Sequence, residues 1–512
     1  MNSLRKILNS TKRFLGTSLL VCALTVNPFS AKNVQSQDLE SKVAAVSDGI
    51  GPDIEWDKTF GGSNWDWAYS VQQTSDKGYI LAGTTESFGA GNHDAWLIKT
   101  DADGNKEWDK TFGGSESDYA YSVQQTSDRG YILAGWTDSF GAGSGDAWLI
   151  KTDQNGNKEW DKTFGGSDYD RAYSVQQTSD KGYILAGEAK SFRTIGYDAW
   201  LIKTDPNGNT EWDKTFGGSY YDSASSVQQT SDGGYILAGE TKSFGAGKND
   251  FWLIKTDADG NKKWDKTFGG SSYDYASSVQ QTSDGGYIIA GKTVSFGVGY
   301  SDFWLIKTDP NGNSEWDKTF GGAGSDSALS VQQTSDGGYI IAGETDSFGA
   351  GNYDFLLIKT DHSGNKEWDK TFGGSNSDYA WSVQQTSDRG YIIAGETKSF
   401  GAGDYDLWLI KLKGNGETSV EENQPKAYSL LQNYPNPFNE ATTIQYQLPE
   451  NTKVSLDIYN ISGQKIKTLV DKIQEPGSHQ VKFDTNNVSS GIYFPRLKTQ
   501  YGVKTQKMML VK

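Results

Sequence analysis

A 52-residue repeat constrains this chain more than any other feature of its sequence. The tripeptide Trp-Asp-Lys begins at seven positions spaced 52 residues apart, namely Trp56, Trp108, Trp160, Trp212, Trp264, Trp316 and Trp368. The segments Ser-Val-Gln-Gln-Thr-Ser-Asp and Leu-Ile-Lys each recur seven times as well. A fixed period of this length indicates an array of equal structural units, each burying its apolar surface against its neighbours.

Each unit divides into four strand-like runs, as the second copy illustrates. Residues 131–134 and 147–152 are apolar runs typical of strands buried on both faces, whereas 121–126 is short and 159–164 alternates apolar with polar residues. Turn residues separate the runs, and Asp153-Gln154-Asn155-Gly156 predicts a hairpin turn with glycine in the left-handed conformation. Four antiparallel strands per unit of about 50 residues is the size of a propeller blade.

The sequence therefore predicts an all-β fold, a seven-bladed β-propeller over residues 54–412. The 61 glycines and the lack of a 3.6-residue period exclude helical repeats, while a β-solenoid is the main alternative. Residues 54–60 form a fourth-strand sequence without its first three strands, and 407–412 form a third strand without a fourth. We expect the N-terminal strand to complete the last blade and so hide both open edges. These units resemble the repeats of secreted bacterial and archaeal β-propellers that contain Gly-Tyr-Ile-(Leu/Ile)-Ala-Gly and Leu-Ile-Lys-Thr-Asp.

The N-terminus has the pattern of a secretory signal. A basic start with Arg5, Lys6, Lys12 and Arg13 precedes the apolar run 14–26, so we expect a signal peptide over 1–31 and a linker over 32–53. Cys22, the one cysteine of the sequence, lies in this segment, so the exported chain is expected to lack disulfides and thiolate metal sites. No second apolar segment follows, and we expect no membrane span.

The charge of the chain argues against several classes of partner. The formal net charge is −17, and removal of four basic residues with the signal makes it −21. Such a charge disfavours nucleic acids and anionic membranes as partners.

We expect no cofactor, with calcium as the open alternative. The segment Asp101-Ala102-Asp103-Gly104-Asn105 resembles the start of a calcium loop but lacks its glutamate. The aspartates that recur at two loop positions, from Asp66 and from Asp94, are interpreted as hydrogen-bond acceptors in turns.

The C-terminal part is a separate domain by composition. Residues 413–427 are polar and aperiodic, which predicts a linker, and apolar alternation returns over 428–512, which predicts a small Ig-like β-sandwich. The segment that contains Tyr434, Pro435, Asn436, Pro437, Phe438 and Asn439 resembles the opening of the type IX secretion C-terminal sorting domain. Ser490-Gly491-Ile492-Tyr493 and the closing Lys507-Met508-Met509-Leu510-Val511-Lys512 fit the same family in order and spacing. The resemblance implies that 428–512 is recognised by secretion machinery and that the protein is secreted or held at the outer cell surface.

Catalytic patterns are scarce in the sequence. The three histidines, His93, His362 and His479, occupy unrelated positions, and no Gly-x-Ser-x-Gly, His-Glu-x-x-His or P-loop pattern occurs. We therefore predict no catalytic or metal-binding residues. A carboxylate-only glycoside-cleaving enzyme stays open as the alternative function.

The positions at which the copies differ are the candidate binding residues. They fall mostly in the loops that connect one blade to the next, which open on one face of the ring. The aromatic and basic members of this set are Trp65, Trp67, Tyr119, Tyr169, Arg171, Arg193, Tyr221, Tyr275 and Tyr379. Variable aromatic and polar side chains are typical of surfaces that recognise glycans or proteins. The sequence thus predicts a monomeric surface binding or structural propeller for a glycan or protein, with a secreted polysaccharide-active enzyme as the alternative.

Overall fold

The computed structural model describes residues 51–191, 196–414, 429–430, 433, 436–448, 451–474, 477–485, 488–500 and 502–511. The predicted signal peptide, most of the N-terminal linker and nearly all of the linker 413–427 lie outside these residues. All regular secondary structure among these described residues is β-strand. None of the described residues belongs to a helix with the length and hydropathy that a membrane crossing needs.

Seven four-stranded antiparallel sheets form the blades of the predicted propeller. The first strands are β2 (Asp66–Gln73), β6 (Asp118–Gln125), β10 (Asp170–Gln177), β14 (Asp222–Gln229), β18 (Asp274–Gln281), β22 (Asp326–Gln333) and β26 (Asp378–Gln385). The second strands are β3 (Tyr79–Thr85), β7 (Tyr131–Thr137), β11 (Tyr183–Ala189), β15 (Tyr235–Thr241), β19 (Tyr287–Thr293), β23 (Tyr339–Thr345) and β27 (Tyr391–Thr397). The third strands are β4 (Asp94–Thr100), β8 (Asp146–Thr152), β12 (Asp198–Thr204), β16 (Asp250–Thr256), β20 (Asp302–Thr308), β24 (Asp354–Thr360) and β28 (Asp406–Leu412). The fourth strands are β5 (Lys106–Phe112), β9 (Lys158–Phe164), β13 (Thr210–Phe216), β17 (Lys262–Phe268), β21 (Ser314–Phe320), β25 (Lys366–Phe372) and, for the seventh blade, β1 (Ile54–Phe60).

Ring closure occurs as the sequence predicts. Strand β1 pairs with β28 from Ile54↔Leu412 to Phe60↔Leu407, so the N-terminal strand supplies the fourth strand of blade 7. Blade 1 in turn contacts blade 7, because the backbone N–H of Gln73 donates to the Oε1 atom of Gln384 at 2.6 Å. The two open edges of the array thereby cover each other, and no blade of the ring is left with an unpaired neighbour.

The strands of the second copy are longer than the sequence indicated. The apolar run 131–134 is the first half of Tyr131–Thr137, which continues through Gly135 and Trp136 to a buried threonine. The extension is stable because the backbone pairs fully with Asp146–Thr152 over its whole length. The predicted hairpin turn is confirmed, with Gly156 at a φ of 75°.

Apolar packing lies between the blades. Each of seven hydrophobic clusters combines side chains from two adjacent blades, including one that joins blade 7 to blade 1 through Leu409, Leu81 and Trp96. The third-strand tryptophans such as Trp148 are fully buried, whereas the Trp-Asp-Lys tryptophans such as Trp160 are only half-buried at the rim of each interface. The first group therefore carries more of the burial that holds the ring together.

The C-terminal residues form the predicted two-sheet sandwich. Its strands are β29 (Ser429–Leu430), β30 (Ala441–Leu448), β31 (Thr452–Asn460), β32 (Lys465–Gln474), β33 (Gly477–Asp484), β34 (Gly491–Thr499), β35 (Gly502–Thr505) and β36 (Met508–Leu510). A three-stranded sheet, β29-β30-β33, and a larger sheet, β32-β31-β34-β35 with β36 beside β34, share one core. Buried Phe438 exchanges backbone hydrogen bonds with Met509 and Val511, which ties the Asn-Pro-Phe-Asn segment to the C-terminal strand. Tyr434 and Pro435 of the predicted motif lie outside the described residues.

Candidate functional site

The first strands of the seven blades line a central channel, and a bulge shapes its upper part. In every blade the pairing of first and second strands shifts register between the third and fifth residues of the first strand. A bulge leaves one residue unpaired and re-aims its side chain. The bulged residues are Tyr69, Tyr121, Tyr173, Ser225, Ser277, Leu329 and Trp381.

The bulged residues divide the channel into two unlike halves. Blades 7, 1, 2 and 3 contribute large aromatic rings, whereas blades 4, 5 and 6 contribute serine, serine and leucine. A cavity of ≈490 Å³ results on the small side, and Ser223, Tyr221 and Glu240 also line it. We call this space the upper cavity, since it lies toward the end at which the first strands begin.

The aromatic wall is continuous from blade 7 to blade 3. The ring centroids of Trp381 and Tyr69 are 5.3 Å apart, those of Tyr69 and Tyr121 are 5.0 Å apart, and those of Tyr121 and Tyr173 are 5.5 Å apart. The hydroxyl of Tyr69 makes no hydrogen bond to any described residue, and that of Tyr121 accepts one from the Nε1 atom of Trp136 at 2.9 Å. Both hydroxyls therefore have a proton to donate to a molecule in the channel.

A second ring of variable residues surrounds the upper cavity. It consists of the sixth residue of each second strand, and its members are Thr84, Trp136, Glu188, Glu240, Lys292, Glu344 and Glu396. Each member pairs across the sheet with the second residue of the first strand, as in Arg171↔Glu188 and Tyr379↔Glu396. Four carboxylates and one lysine thus stand at one level of the ring.

Glu188 is the centre of a satisfied polar cluster. Its Oε1 atom accepts hydrogen bonds from Arg171 Nη1 and from the Tyr173 hydroxyl, each at 2.9 Å, and its Oε2 atom accepts one from the Tyr221 hydroxyl at 2.5 Å. Arg171 also lies over the Trp136 ring, 5.2 Å from its centroid. The charge of Arg171, one of the predicted binding residues, is therefore compensated inside the protein.

The other three glutamates lack an ion-pair partner like that of Glu188; Glu240 and Glu344 are half-buried and Glu396 is buried. The pKa of Glu240 is raised to about 7, mainly by burial and also by the charge of Glu188, against the opposing effects of Asn249 and Lys292. Burial likewise raises the pKa of Glu344 to about 7, against the opposing effect of Lys292. The pKa of Glu396 is raised to about 8, first by burial and then by the charge of Glu344. Burial thus raises the pKa of all three carboxyl groups, and Glu240 is the one that lines the upper cavity.

The structure distributes the predicted binding residues over two environments. Trp67, Tyr119, Arg171, Tyr275 and Tyr379 belong to first strands, not to the loops in which the sequence interpretation placed them. Their side chains are half-buried among neighbours, as for Tyr119, which stacks on Trp136 with ring centroids 4.9 Å apart. The strands begin earlier than expected because each opens with a buried aspartate that anchors the preceding loop.

The remaining predicted residues lie in the loops. Trp65 and Tyr169 are 41% and 38% exposed, whereas Tyr221 is half-buried through its hydrogen bond to Glu188. Trp65 approaches Trp67 and Tyr405, with ring centroids 5.6 and 6.3 Å away. Arg193 lies outside the described residues. Trp65 and Trp67 are thus the predicted residues that form one aromatic surface at the channel rim.

Sequence reasoning missed the bulged residues and the glutamate ring. Both were visible as variation inside otherwise uniform strands, because the position after Tyr-Ile-(Leu/Ile)-Ala-Gly reads Thr, Trp, Glu, Glu, Lys, Glu, Glu along the chain. That position was passed over because the surrounding segment has the character of a buried strand. Only the closed ring brings these seven side chains to one level.

The repeated aspartates have structural partners, as interpreted from the sequence. Asp66 accepts hydrogen bonds from the N–H of Gly62 and the hydroxyls of Thr85 and Ser87, and Asp94 accepts them from the N–H groups of Ala90 and Gly91. Within the described ranges, no three His, Cys, Asp or Glu side chains are grouped as a metal site would require. Whether calcium binds stays a prediction to be tested.

Comparison with known proteins identifies the C-terminal domain. Residues 432–512 match the family model of the secretion system C-terminal sorting domain, which confirms the resemblance to the type IX sorting domain. A domain of this family directs export to the cell surface or secretion. No curated protein sequence matches the chain.

Solved structures similar to this chain are all distant. One is PorZ, an essential surface component of the type IX secretion system of Porphyromonas gingivalis, at 12% identity and a TM-score of 0.41, covering 88% of this chain and 60% of that one. A fungal alcohol oxidase of the AA5 family in complex with copper has 11% identity and a TM-score of 0.46, over 90% of this chain and all of the other. Sqt1 from Chaetomium thermophilum has 12% identity and a TM-score of 0.40, over 78% of this chain and 97% of that one.

Proposed function

Because residues 432–512 are a sorting domain that sends the chain to the cell surface or into the medium, we propose that the propeller is an exported carbohydrate-binding module. The sugar residue that it recognises enters the upper cavity of the channel. The observation that supports this proposal is the division of the cavity into one aromatic wall and one wall of serine hydroxyls with Glu240.

A pyranose ring suits these two walls. One face of a sugar carries C–H groups that pack on an aromatic ring, and its edge carries hydroxyls that both donate and accept hydrogen bonds. Tyr69 and Tyr121 supply aromatic surface with free hydroxyl protons, and Ser225 and Ser277 supply hydroxyls opposite them. A cavity of ≈490 Å³ falls within the range of small-ligand sites.

The exposed rim extends this site for a longer glycan. Trp65 lies in a loop at the upper face and is 41% exposed, with Trp67 beside it. An oligosaccharide held by one unit in the cavity would stack its next unit on this pair. Replacement of Trp65 and Trp67 together by alanine should then weaken binding by about 1–2 kcal/mol, as truncation of aromatic binding residues typically does.

Filling the cavity from within tests the proposal. The change Ser225→Tyr with Ser277→Tyr installs at two blades the residue that blades 1, 2 and 3 already carry at this position. Binding to glycans on an array should fall at least tenfold, because the sugar loses its space while the fold keeps side chains it already accommodates. Ser115→Tyr with Ser271→Tyr, at exposed serines of the same face, is the matched control and should leave binding unchanged.

The outcomes of this experiment separate the ligand classes. If every glycan that the parent binds is bound equally well by the filled variant, the site is refuted, and an array without any bound glycan would refute the ligand class. Capture of a protein partner that the filled variant no longer binds would move the same site to protein recognition.

A polysaccharide-active enzyme is the second candidate function, and one observation favours it. Glu188 is ionically paired with Arg171, whereas burial raises the pKa of the neighbouring Glu240 to about 7. Two carboxyl groups whose environments differ in this way can act as base and acid in glycoside cleavage. New reducing ends released from an array-identified glycan by the parent protein, and lost in Glu240→Gln, would support this function. Binding without release of reducing ends would leave the propeller a binding module.

A further inference from the structure

Two cavities of equal size lie between neighbouring blades on the lower face, where the first strands end. One separates blades 1 and 2 and the other separates blades 4 and 5, and each has a volume of ≈430 Å³. Equivalent positions of the repeat line both cavities, and the residues differ at three of them, where Glu107, Arg129 and Gln154 of the first cavity are replaced by Lys263, Gly285 and Pro310 in the second. In the first of them, the fourth-strand Trp108 of blade 1 faces Gln125 and Tyr131 of blade 2. We call each such space an interblade pocket.

The contacts that build these pockets recur around the ring. The fourth-strand tryptophan meets the tyrosine that opens the next blade's second strand at centroid distances of 5.7–5.9 Å at all seven interfaces. At all seven, a turn serine donates its backbone N–H to the glutamine that ends the next first strand, at 2.8–2.9 Å. The pocket is therefore a repeated element of the fold.

Six of the seven interfaces have the complete set of contacts that builds the pocket. The hairpin between third and fourth strands closes over the tryptophan, so that a Cβ at Gly156 would lie 2.5 Å from the Trp108 ring. Blade 7 has no such hairpin, because its fourth strand is β1, and Gly51 approaches Trp368 at the interface of blades 6 and 7 instead. Lys263 takes the place of a glutamate in the pocket of blades 4 and 5. Arg129, which lines the pocket of blades 1 and 2, is replaced by lysine in the turns of blades 1 and 3 and by glycine in those of blades 4, 5 and 6, so the charge of the pockets varies around the ring.

The lining of a pocket fits a hexose. The half-buried ring of Trp108 offers an apolar surface, and the exposed side chains of Gln154 and Asn155 extend over it from the hairpin. The carboxylates of Asp76 and Glu107 are held by the buried ammonium of Lys99 at 3.0 Å each. Stacking on an indole together with amide and carboxylate partners for hydroxyls is the chemistry of neutral sugar recognition.

We propose that the six interblade pockets form a multivalent site for the repeating unit of a neutral polysaccharide. This site is independent of the upper cavity, which lies on the ring axis and provides one site per chain. Because six pockets built by the same contacts surround one rigid ring, a polymer with a regular repeat can occupy several at once. Its apparent affinity then exceeds that of a single unit by a factor of about 100 or more. A multivalent site also accounts for the near-identity of the seven copies, which a single site on the ring axis does not require.

The test is the number of sugars that one chain binds. The full exported chain is equilibrated with saturating neutral trisaccharides of glucose, mannose, galactose or N-acetylglucosamine, and bound sugar is counted by equilibrium dialysis and native mass spectrometry. The variant Ser75→Gln with Ser179→Gln and Ser283→Gln narrows three complete pockets at exposed turn serines. The matched control, Ser115→Gln with Ser271→Gln and Ser375→Gln, places the same changes at exposed serines of the upper face.

We expect five to six sugars in the interblade pockets of the parent chain, two to three in those of the narrowed variant, and five to six again for the control, with one more sugar per chain in each case when the trisaccharide also enters the upper cavity. A stoichiometry of one that neither variant alters would overturn the multivalent site and favour the upper cavity alone. No binding of any of the four sugars would overturn the ligand class for the interblade pockets. The number of sugars bound to the parent chain tests the proposal even if the narrowed variant does not fold.

Discussion

Glu240 provides the sharpest link between the upper cavity and the stability of the fold. Its carboxyl is half-buried in the wall of the cavity, and one oxygen accepts a hydrogen bond from Asn249. Burial raises its pKa from an ordinary value of 4.5 to about 7, so the folded state binds the proton more tightly than the unfolded state does. The free energy of unfolding must therefore fall as the pH rises from about 4.5 to about 7. We predict that Glu240→Gln removes this part of the pH dependence.

The expected magnitude follows from the size of the pKa shift. A shift of about 2.5 units at about 1.4 kcal/mol per unit corresponds to about 3 kcal/mol between the limits of low and high pH. Between pH 5 and pH 8 most of this difference is accessible, about 2–3 kcal/mol. Glutamine keeps an oxygen for Asn249, so the variant should resemble the parent at pH 5 and be more stable than the parent at pH 8.

Urea unfolding of both proteins at pH 5 and pH 8 measures the effect directly. The quantity of interest is the change with pH in the stability difference between variant and parent, since this cancels the contributions of Glu344, Glu396 and all other titrating groups. Glu116→Gln, at an exposed glutamate of the upper face, is the control and should give a stability difference independent of pH. If the stability difference of Glu240→Gln is also the same at both pH values, the carboxyl is not held in a low-dielectric cavity and the reasoning fails.

Four further predictions concern the ring and its export. A chain without β1 should aggregate or lose much of its thermal stability because blade 7 then has an open edge; melting like the parent would refute closure by this strand. Arg129 has a φ of 71° at a turn position where blades 4, 5 and 6 carry glycine. Arg129→Gly should therefore raise the free energy of unfolding in urea by up to about 1 kcal/mol, and a lower free energy of unfolding would contradict this prediction. Lys263→Glu should raise the free energy of unfolding by about 0.5–1 kcal/mol. Burial and the charge of Lys263 both lower the pKa of Lys255, whereas in other blades a glutamate pairs with the corresponding lysine. An unchanged midpoint of urea unfolding would show that this ion pair is fully screened. The intact mass of the exported protein should reveal cleavage or modification before residue 432, whereas an unmodified chain that ends at Lys512, free in the medium, would argue against such processing.

Much of the fold can be predicted from the sequence because every repeat has the same pattern of strand and turn residues. The Asp-x-x-Gly turns, the apolar second and third strands and the unmatched strand at 54–60 together predict four strands per blade and closure of the ring. Strand limits are less predictable. A strand such as Tyr131–Thr137 continues past its apolar run because Gly135, Trp136 and Thr137 pair with the next strand, and the hydroxyl of buried Thr137 donates to Asp118. These partners lie in other strands of the blade and are not indicated by the run itself.

The candidate site was only partly predictable, for a physical reason. Variation in the loops drew attention to exposed aromatic residues such as Trp65, and these do lie at the channel rim. The bulge that turns Tyr69 and Ser277 toward the axis of the ring depends on a register shift between two strands. No pattern of residues in the sequence indicates this shift. The glutamates at positions 188, 240, 344 and 396 come together only because the ring closes. Variation at single positions within uniform repeats is the signal that would have found them.

The central claim, that this exported propeller holds a sugar in its upper cavity, is tested most directly by a crystal structure of the chain with an array-identified glycan. The account predicts electron density for one sugar residue between the aromatic wall of Tyr69 and Tyr121 and the hydroxyls of Ser225 and Ser277. Its edge should lie within hydrogen-bond distance of Glu240. Density for the bound glycan elsewhere on the molecule, with only water between these residues, would contradict the claim.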